Sequence, residues 1–294
     1  MNSRLGWGRW GLENEARIAA MDAALRSNID AALAEDVGSG DKTAELIAAD
    51  AQARARLIVR EPAVLCGIAW FEGVMARVDP RTKIVWLQLE GRLMASGDTV
   101  CELQGPARGL LTAERSAMNF LQLLSGVATA TRAYVEAIAQ VPGNRARILD
   151  TRKTLPGLRL AQKYAVRVGG GTNHRLGLYD EILIKENHIA AAGGIAAALG
   201  HAAQQGVPVQ IEVESLAELE QALACGATSI LLDNFTLANM RAAVQRVQGR
   251  AVLEASGGVT LEKVRALAAT GVDRISIGAL TKDVRAVDYS LRIL

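Results

Sequence analysis

Between Arg145 and Lys185 the chain carries nine Lys or Arg residues and three acids, although its 294 residues together carry a net charge of only +2. Inside that stretch Thr151-Arg152-Lys153, His174-Arg175 and Lys185 stand at or near the ends of apolar runs, such as Ile148-Leu149 and Ile182-Leu183-Ile184. Most Lys and Arg residues end as solvated surface charges. Cations at successive strand ends would instead face one shared mouth, where they repel each other until an anion settles among them. Arginine suits a planar carboxylate, which it grips through two parallel hydrogen bonds. The region reads as the binding site of a small polyanion. His174 joins the candidates through its place beside Arg175, after Gly169-Gly170-Gly171, a run able to form an anion-binding nest.

Acids follow the cations. Glu212 and Asp233 end consecutive strand candidates, an arrangement that suits Mg²⁺, which takes one or two carboxylates, several waters and phosphate oxygens of a substrate. Glu214 shares a strand face with Glu212 but lies in the turn before Ser215. Two small-residue loops come last, Ser256-Gly257-Gly258 and Ile277-Gly278-Ala279. There, backbone N–H groups can approach a phosphate closely, and the next helix N-terminus adds its dipole. Gly38-Ser39-Gly40-Asp41-Lys42-Thr43 imitates the end of a nucleotide-binding loop, but Asp41 stands where Gly must precede Lys and no strand leads in. No Ser/His/Asp or Cys/His triad is apparent.

These residues need elements to position them. Ile18, Met21, Leu25, Ile29 and Leu33 recur at helical spacing. A β-rich stretch follows, with strand candidates at Leu57–Val59, Ile84–Leu87, Thr99–Cys101 and Gly109–Leu111. Thr112 opens a long helix that Ser125-Gly126 is expected to bend or interrupt. From Arg147 onward strands and helices alternate. Ser215, Thr236 and Thr260 stand as N-caps, Glu218 completes a capping box with Ser215, and Gly226, Gly249 and Gly271 mark helix ends. Strand-end polar residues at 185, 212, 233, 254 and 278 are 21 to 27 residues apart, one β-α unit each. Chemistry at the C-terminal end of every strand favours a β/α barrel over an open doubly wound sheet. Six visible strands, seven at most, leave that barrel incomplete. Tyr289, Leu291 and Ile293 alternate with polar residues, so the tail is expected to return as a strand of the N-terminal sheet. The expected organisation is an N-terminal α+β sandwich domain over 1–116, completed by 281–294, and a parallel β/α barrel over 117–280.

Half the residues are hydrophobic, enough for a sizeable core, and the small net charge gives no drive toward nucleic acid or membrane. Cys66, Cys101 and Cys225 fit neither a disulfide framework nor a metal spacing, and the first residues carry no signal-like run. A reducing, cytoplasmic setting is the expectation.

The segments Ile148-Leu149-Asp150-Thr151-Arg152-Lys153-Thr154, Gly171-Thr172-Asn173-His174-Arg175, Ile184-Lys185-Glu186-Asn187-His188, Leu231-Leu232-Asp233-Asn234-Phe235 and Glu254-Ala255-Ser256-Gly257-Gly258 resemble the quinolinate phosphoribosyltransferases, also called carboxylating nicotinate-nucleotide pyrophosphorylases. The likeness runs from about Leu33 to the C-terminus. It implies an N-terminal α/β sandwich, a seven-stranded open barrel, and transfer of phosphoribosyl to quinolinate with loss of CO₂ in de novo NAD biosynthesis. It also implies that Arg152, Lys153, His174, Arg175 and Lys185 surround the dicarboxylate, joined by Thr151. Glu212 and Asp233 would hold the ribose hydroxyls and Mg²⁺-diphosphate of phosphoribosyl pyrophosphate, directly or through that substrate. Residues 256–258 and 277–279 would hold its 5′-phosphate. Lys153, Lys185, Glu212 and Asp233 are the catalytic candidates. Arg115 would reach the partner's site in a homodimer, a hexamer being the larger assembly. Two departures, Leu155 for the family's usual Thr and Lys42 for an apolar residue, touch none of these roles.

Rival readings are a Schiff-base aldolase with Lys185 as nucleophile, a polyanion or RNA binder using the basic stretch, and a same-fold transferase for another acid. The pairs Arg152-Lys153 and His174-Arg175 favour a dicarboxylate.

Overall fold

The computed structural model describes residues 15–294. In chain order the elements begin α1 (Glu15–Asp36), β1 (Gln52–Val59), β2 (Ala63–Val64), α2 (Ile68–Val78), β3 (Lys83–Trp86), β4 (Leu93–Met94), β5 (Thr99–Pro106) and α3 (Ala107–Ala139). They continue β6 (Arg147–Leu149), α4 (Arg159–Val168), β7 (Ile182–Ile184), α5 (Glu186–Ala192), α6 (Ile195–Ala203), β8 (Val209–Val213) and α7 (Leu216–Ala224). The last are β9 (Ser229–Asp233), α8 (Leu237–Val247), β10 (Val252–Ser256), α9 (Leu261–Ala268), β11 (Arg274–Ser276), α10 (Ala279–Lys282) and β12 (Tyr289–Ile293). The described residues divide into one unit of residues 15–132, 154–170 and 281–294, and another of residues 133–153 and 171–280.

The first unit is built on an antiparallel sheet of order β12-β1-β5-β3. In β1 burial alternates, with Ala55, Leu57 and Val59 inside, as a half-buried strand requires. The tail returns as expected, pairing Tyr289 with Val59 and Leu291 with Leu57. Met21, Leu25 and Ile29 of α1, Trp70 and Phe71 of α2, and Leu110, Leu121 and Leu124 of α3 fill one core with this sheet.

Two expectations fail in this unit. Gly109–Leu111 lies in α3, which begins at Ala107 immediately after β5. A short apolar run cannot distinguish strand from buried helix by periodicity. Nor is α3 broken at Ser125-Gly126. Ser125 Oγ accepts from the backbone N–H of Cys66 at 3.0 Å, and a Cβ on Gly126 would lie 2.2 Å from the carbonyl oxygen of Arg285. Those small residues serve packing and leave the helix intact. An unbroken α3 is also why the chain does not divide at 116/117: Leu121 and Leu124 beyond that point belong to the first core. Segment 154–170 likewise goes with this unit.

The second unit carries six parallel strands in the order β6-β11-β10-β9-β8-β7. The sheet does not close. A seventh strand is reduced to one bridge between Leu149 and Thr172. Ile211, Val213, Ile230, Leu232, Leu253, Ala255 and Ile275 join the helices in a second core. The alternate residues Gln210, Glu212, Asp233, Glu254 and Ser276 therefore share the other face of the sheet. Sequence punctuation holds at most helix ends. Ser215 and Thr236 accept N-cap hydrogen bonds from Glu218 and Asn239. Glu218 closes its box on the N–H of Glu214, and Thr260 makes no side-chain cap. Gly226, Gly249 and Gly271 all adopt positive φ.

Candidate functional site

Every candidate except Arg115, and Gly169 and Gly170 of the expected nest, lies in the second unit. Lys185 directly follows β7 and serves as N-cap of α5, its backbone N–H donating to His188 Nδ1 at 3.0 Å. Its side chain crosses to the next strand, where Nζ lies 2.9 and 3.2 Å from the two oxygens of Glu212. Glu212 is buried, whereas 44% of the Lys185 side chain remains exposed. The carboxylate thus fixes the ammonium while leaving part of it open to an incoming anion.

Arg152, Arg175 and Lys185 line one cavity of about 470 Å³, together with Leu178, Glu181 and Ile182 to Ile184. Arg175 Nη1 donates to the carbonyl oxygen of Glu181 at 3.0 Å, which aims the guanidinium. Partial burial, and then the nearby charge of Arg152, lower the pKa of Arg175; Glu181 and Asp180 oppose the shift. A cation made less comfortable by a second cation is what a preformed anion site looks like.

The segment after β6 turns through Thr151, whose Oγ1 accepts from the N–H of Lys153 at 3.0 Å. Lys153 is exposed, and its Cδ lies 3.0 Å from the position of a Cβ on Gly278. A side chain at 278 would push the lysine aside. Ile277 is buried, and its N–H donates to Leu149 at 2.9 Å. The helix opening at Ala279 has only four residues, too short to add the expected dipole. Ser256 accepts a hydrogen bond from the N–H of Asn234 at 3.1 Å, while Gly257 and Gly258 adopt φ of 100° and 53°. Gly169 does not act as part of an anion nest either. A Cβ there would lie 2.5 Å from the carbonyl oxygen of Ala128, so its smallness serves close packing on α3.

Residues without an assigned role in the sequence complete the arrangement. Asn234 sits in the left-handed region at φ 53°, and its amide donates to Asp233 Oδ2 at 2.9 Å. A Cβ on Gly257 would lie 2.1 Å from its Oδ1, so Gly257 makes the room that Asn234 needs. Buried Asp150 accepts from the N–H of His174 at 2.8 Å and from the Asn173 amide at 2.6 Å. Gln210 and Glu254, both fully buried, lie beneath His174. One signal for these two was present: a polar residue inside an otherwise apolar strand, on the face that carries Glu212.

Comparison with known proteins fits this geometry. The family model for the quinolinate phosphoribosyl transferase C-terminal domain matches residues 127–292, and that for the N-terminal domain matches 41–125. The chain belongs to the quinolinate phosphoribosyltransferase family. It is 44% identical over 277 residues to the carboxylating nicotinate-nucleotide pyrophosphorylase of Mycobacterium leprae, covering 91% of this chain and 96% of that one. It is 39% identical over 262 residues to the probable Bacillus subtilis enzyme of the same name, covering 88% and 90%. The Francisella tularensis nicotinate-nucleotide pyrophosphorylase structure superposes with a TM-score of 0.89 at 44% identity, over 93% of this chain and 97% of that one.

Arg115 is exposed on α3 in the first unit. Among the described residues no three His, Cys, Asp or Glu side chains gather as a metal cluster. Glu212 and Asp233 supply two carboxylates from neighbouring strands. That donor set fits a hard cation whose other ligands are water and phosphate oxygens. No helix among the described residues is long and apolar enough to cross a membrane.

Proposed function

We propose that this chain transfers the phosphoribosyl group of phosphoribosyl pyrophosphate to quinolinate with loss of CO₂, giving nicotinate mononucleotide and pyrophosphate in de novo NAD biosynthesis. One observation carries the reading: Arg152, Arg175 and Lys185 converge on a single cavity. Three fixed cations match a pyridine with two carboxylates better than a monoacid or a carbonyl substrate. The Lys185–Glu212 ion pair also argues against an aldolase, since a Schiff-base lysine must be neutral to attack.

In this reading Arg152, Arg175 and Lys185 hold the two carboxylates, with Thr151 and His174 shaping the turns beside them. The stem of Lys153 lies over Gly278, a place from which its ammonium meets the sugar donor. Glu212 and Asp233 hold the ribose hydroxyls and the Mg²⁺ that accompanies the diphosphate. That ion, when bound, neutralises the charge developing on the leaving group. Residues 256–258 and the loop at Gly278-Ala279 receive the 5′-phosphate on backbone N–H groups, while Ile277, whose N–H is taken by Leu149, anchors that loop to β6. As the C1–oxygen bond to pyrophosphate breaks, C1 becomes oxocarbenium-like and the ring nitrogen bonds to it. The nitrogen then carries positive charge. The bond from C2 to its carboxylate breaks, its electron pair staying on C2 beside that charge, and a proton takes the place of CO₂. Positioning and electrostatics are the protein's main contribution. Arg115 serves the site of a second copy in a homodimer.

The deciding assay is release of labelled CO₂ from quinolinate carboxylated at C2. It should require phosphoribosyl pyrophosphate and Mg²⁺. Turnover of nicotinate with no turnover of quinolinate would overturn the reading.

A further inference from the structure

His174 lies among the candidate cations, yet the protein itself occupies both of its ring nitrogens. Nδ1 accepts from the backbone N–H of Arg175 at 2.7 Å. Nε2 lies 3.1 Å from Oε1 of Gln210. The Gln210 amide is oriented by its other end, where Nε2 donates to Oε2 of Glu254 at 3.1 Å. An amide oxygen can only accept, so His174 Nε2 must carry a proton, and an Nδ1 that accepts from N–H must not. The other Glu254 oxygen, Oε1, makes no hydrogen bond among the described residues and lies 3.6 Å from His174 Nε2, favouring a proton there. Glu181 pulls the other way, with Oε2 3.8 Å from Nδ1. That distance is beyond hydrogen bonding, and the Arg175 N–H holds the lone pair at closer range. Asp150 fixes the loop from behind through the His174 N–H.

We propose that Gln210 and Glu254 are positioning residues for quinolinate binding. They lock His174 in its neutral Nε2–H tautomer, and the unprotonated Nδ1 then anchors the Arg175 backbone, whose guanidinium reaches the cavity. His174 acts by holding Arg175 and contacts no substrate through a ring nitrogen. The inference rests on the reading that this cavity takes quinolinate.

The first test is ¹⁵N NMR of the imidazoles in the whole, substrate-free protein. A single Nε2–H tautomer for His174 is expected, unchanged when quinolinate is added. An Nδ1–H tautomer, an imidazolium, or a ring nitrogen whose signal moves to a new hydrogen-bonded state with quinolinate overturns the proposal. This measurement needs no variant, so misfolding cannot shield the idea. The second test is Glu254→Gln, which places an amide donor against the His174 donor. Mixed tautomers and a rise of about tenfold in KM for quinolinate, with a smaller change in kcat, are expected. An unchanged tautomer and KM count against the relay. The third pair is His174→Asn and His174→Ala. Asparagine keeps an acceptor near the Nδ1 position, so it should retain several-fold more kcat/KM than alanine; equal losses contradict the anchoring role. The substrate reading fails separately, if Arg175→Ala leaves the quinolinate KM unchanged while the tautomer stands as described.

Discussion

Arg175 concentrates the energetics of the site in one side chain. Burial and Arg152 both disfavour its charge, and among the described residues a carbonyl oxygen and two nearby acids answer them. A dianion entering the cavity relieves that repulsion, so Arg175→Ala should raise KM for quinolinate about a hundredfold, the cost of a charge-assisted hydrogen-bond pair. Arg175→Lys should recover little of this, because an ammonium cannot make the two parallel bonds. Steady-state kinetics with quinolinate as the varied substrate checks both. Asn234 presents the opposite economy: local strain kept for orientation. Its left-handed backbone disfavours a Cβ by about 1 kcal/mol, yet its amide steadies Asp233. Asn234→Gly should leave the melting temperature level or slightly raised while kcat/KM falls about tenfold. Alanine there should lower both. A glycine variant with full activity would remove Asn234 from any role in orienting Asp233.

Elements hold these residues through a few close approaches. In α3, Gly126 admits the Arg285 carbonyl, and Ser125 Oγ accepts from the Tyr289 hydroxyl at 2.9 Å, so the helix carries the strand that ends the chain. Gly126→Ala gains about 1 kcal/mol of helix propensity but drives a Cβ into backbone. The net effect should be a lower melting temperature and faster amide exchange over residues 287–293. The N-terminus of α2 depends on Glu90, which accepts from the N–H groups of Gly67 and Ile68 and from the Tyr164 hydroxyl. Burial raises the Glu90 carboxyl above its usual 4.5, more than those hydrogen bonds lower it. A raised folded-state value means the stabilisation is complete below the unfolded value and is lost as pH climbs through the folded one. Urea unfolding should therefore show wild type losing stability relative to Glu90→Gln as pH rises from about 4.5 toward neutrality. A constant difference between the two would contradict the shift. Much of this was legible beforehand where local chemistry decides it. Glycine at positive φ marked helix ends, Ser215 and Thr236 marked beginnings, and period-two alternation marked β12. Illegible features depended on distant partners. Nothing near Gly126 announces Arg285, and nothing near Asn234 announces the bare Gly257.

At the scale of the molecule, two units have separate cores. The cations, carboxylates and glycine loops of the second unit were readable because strand ends recur at near-constant spacing. The division of the chain was not, because α3 and segment 154–170 carry no composition change where the units part. The first unit also exposes Val85, Leu87, Leu89 and Leu93 on or beside β3 and β4, apolar surface of the kind an assembly covers. If Arg115 serves the site of a second copy, each site combines one chain's Arg115 with the other chain's Lys185. Arg115→Ala and Lys185→Ala should then each be inactive alone. In a hybrid dimer one site lacks both residues, while the other has both intact. Random mixing in equal amounts makes half the dimers hybrid, so activity should return toward about one quarter of the wild-type value. The mixture should be unfolded and refolded together, or co-expressed with two tags, so that subunits exchange fully. Tagged hybrids that assemble yet stay inactive would place Arg115 outside a shared site.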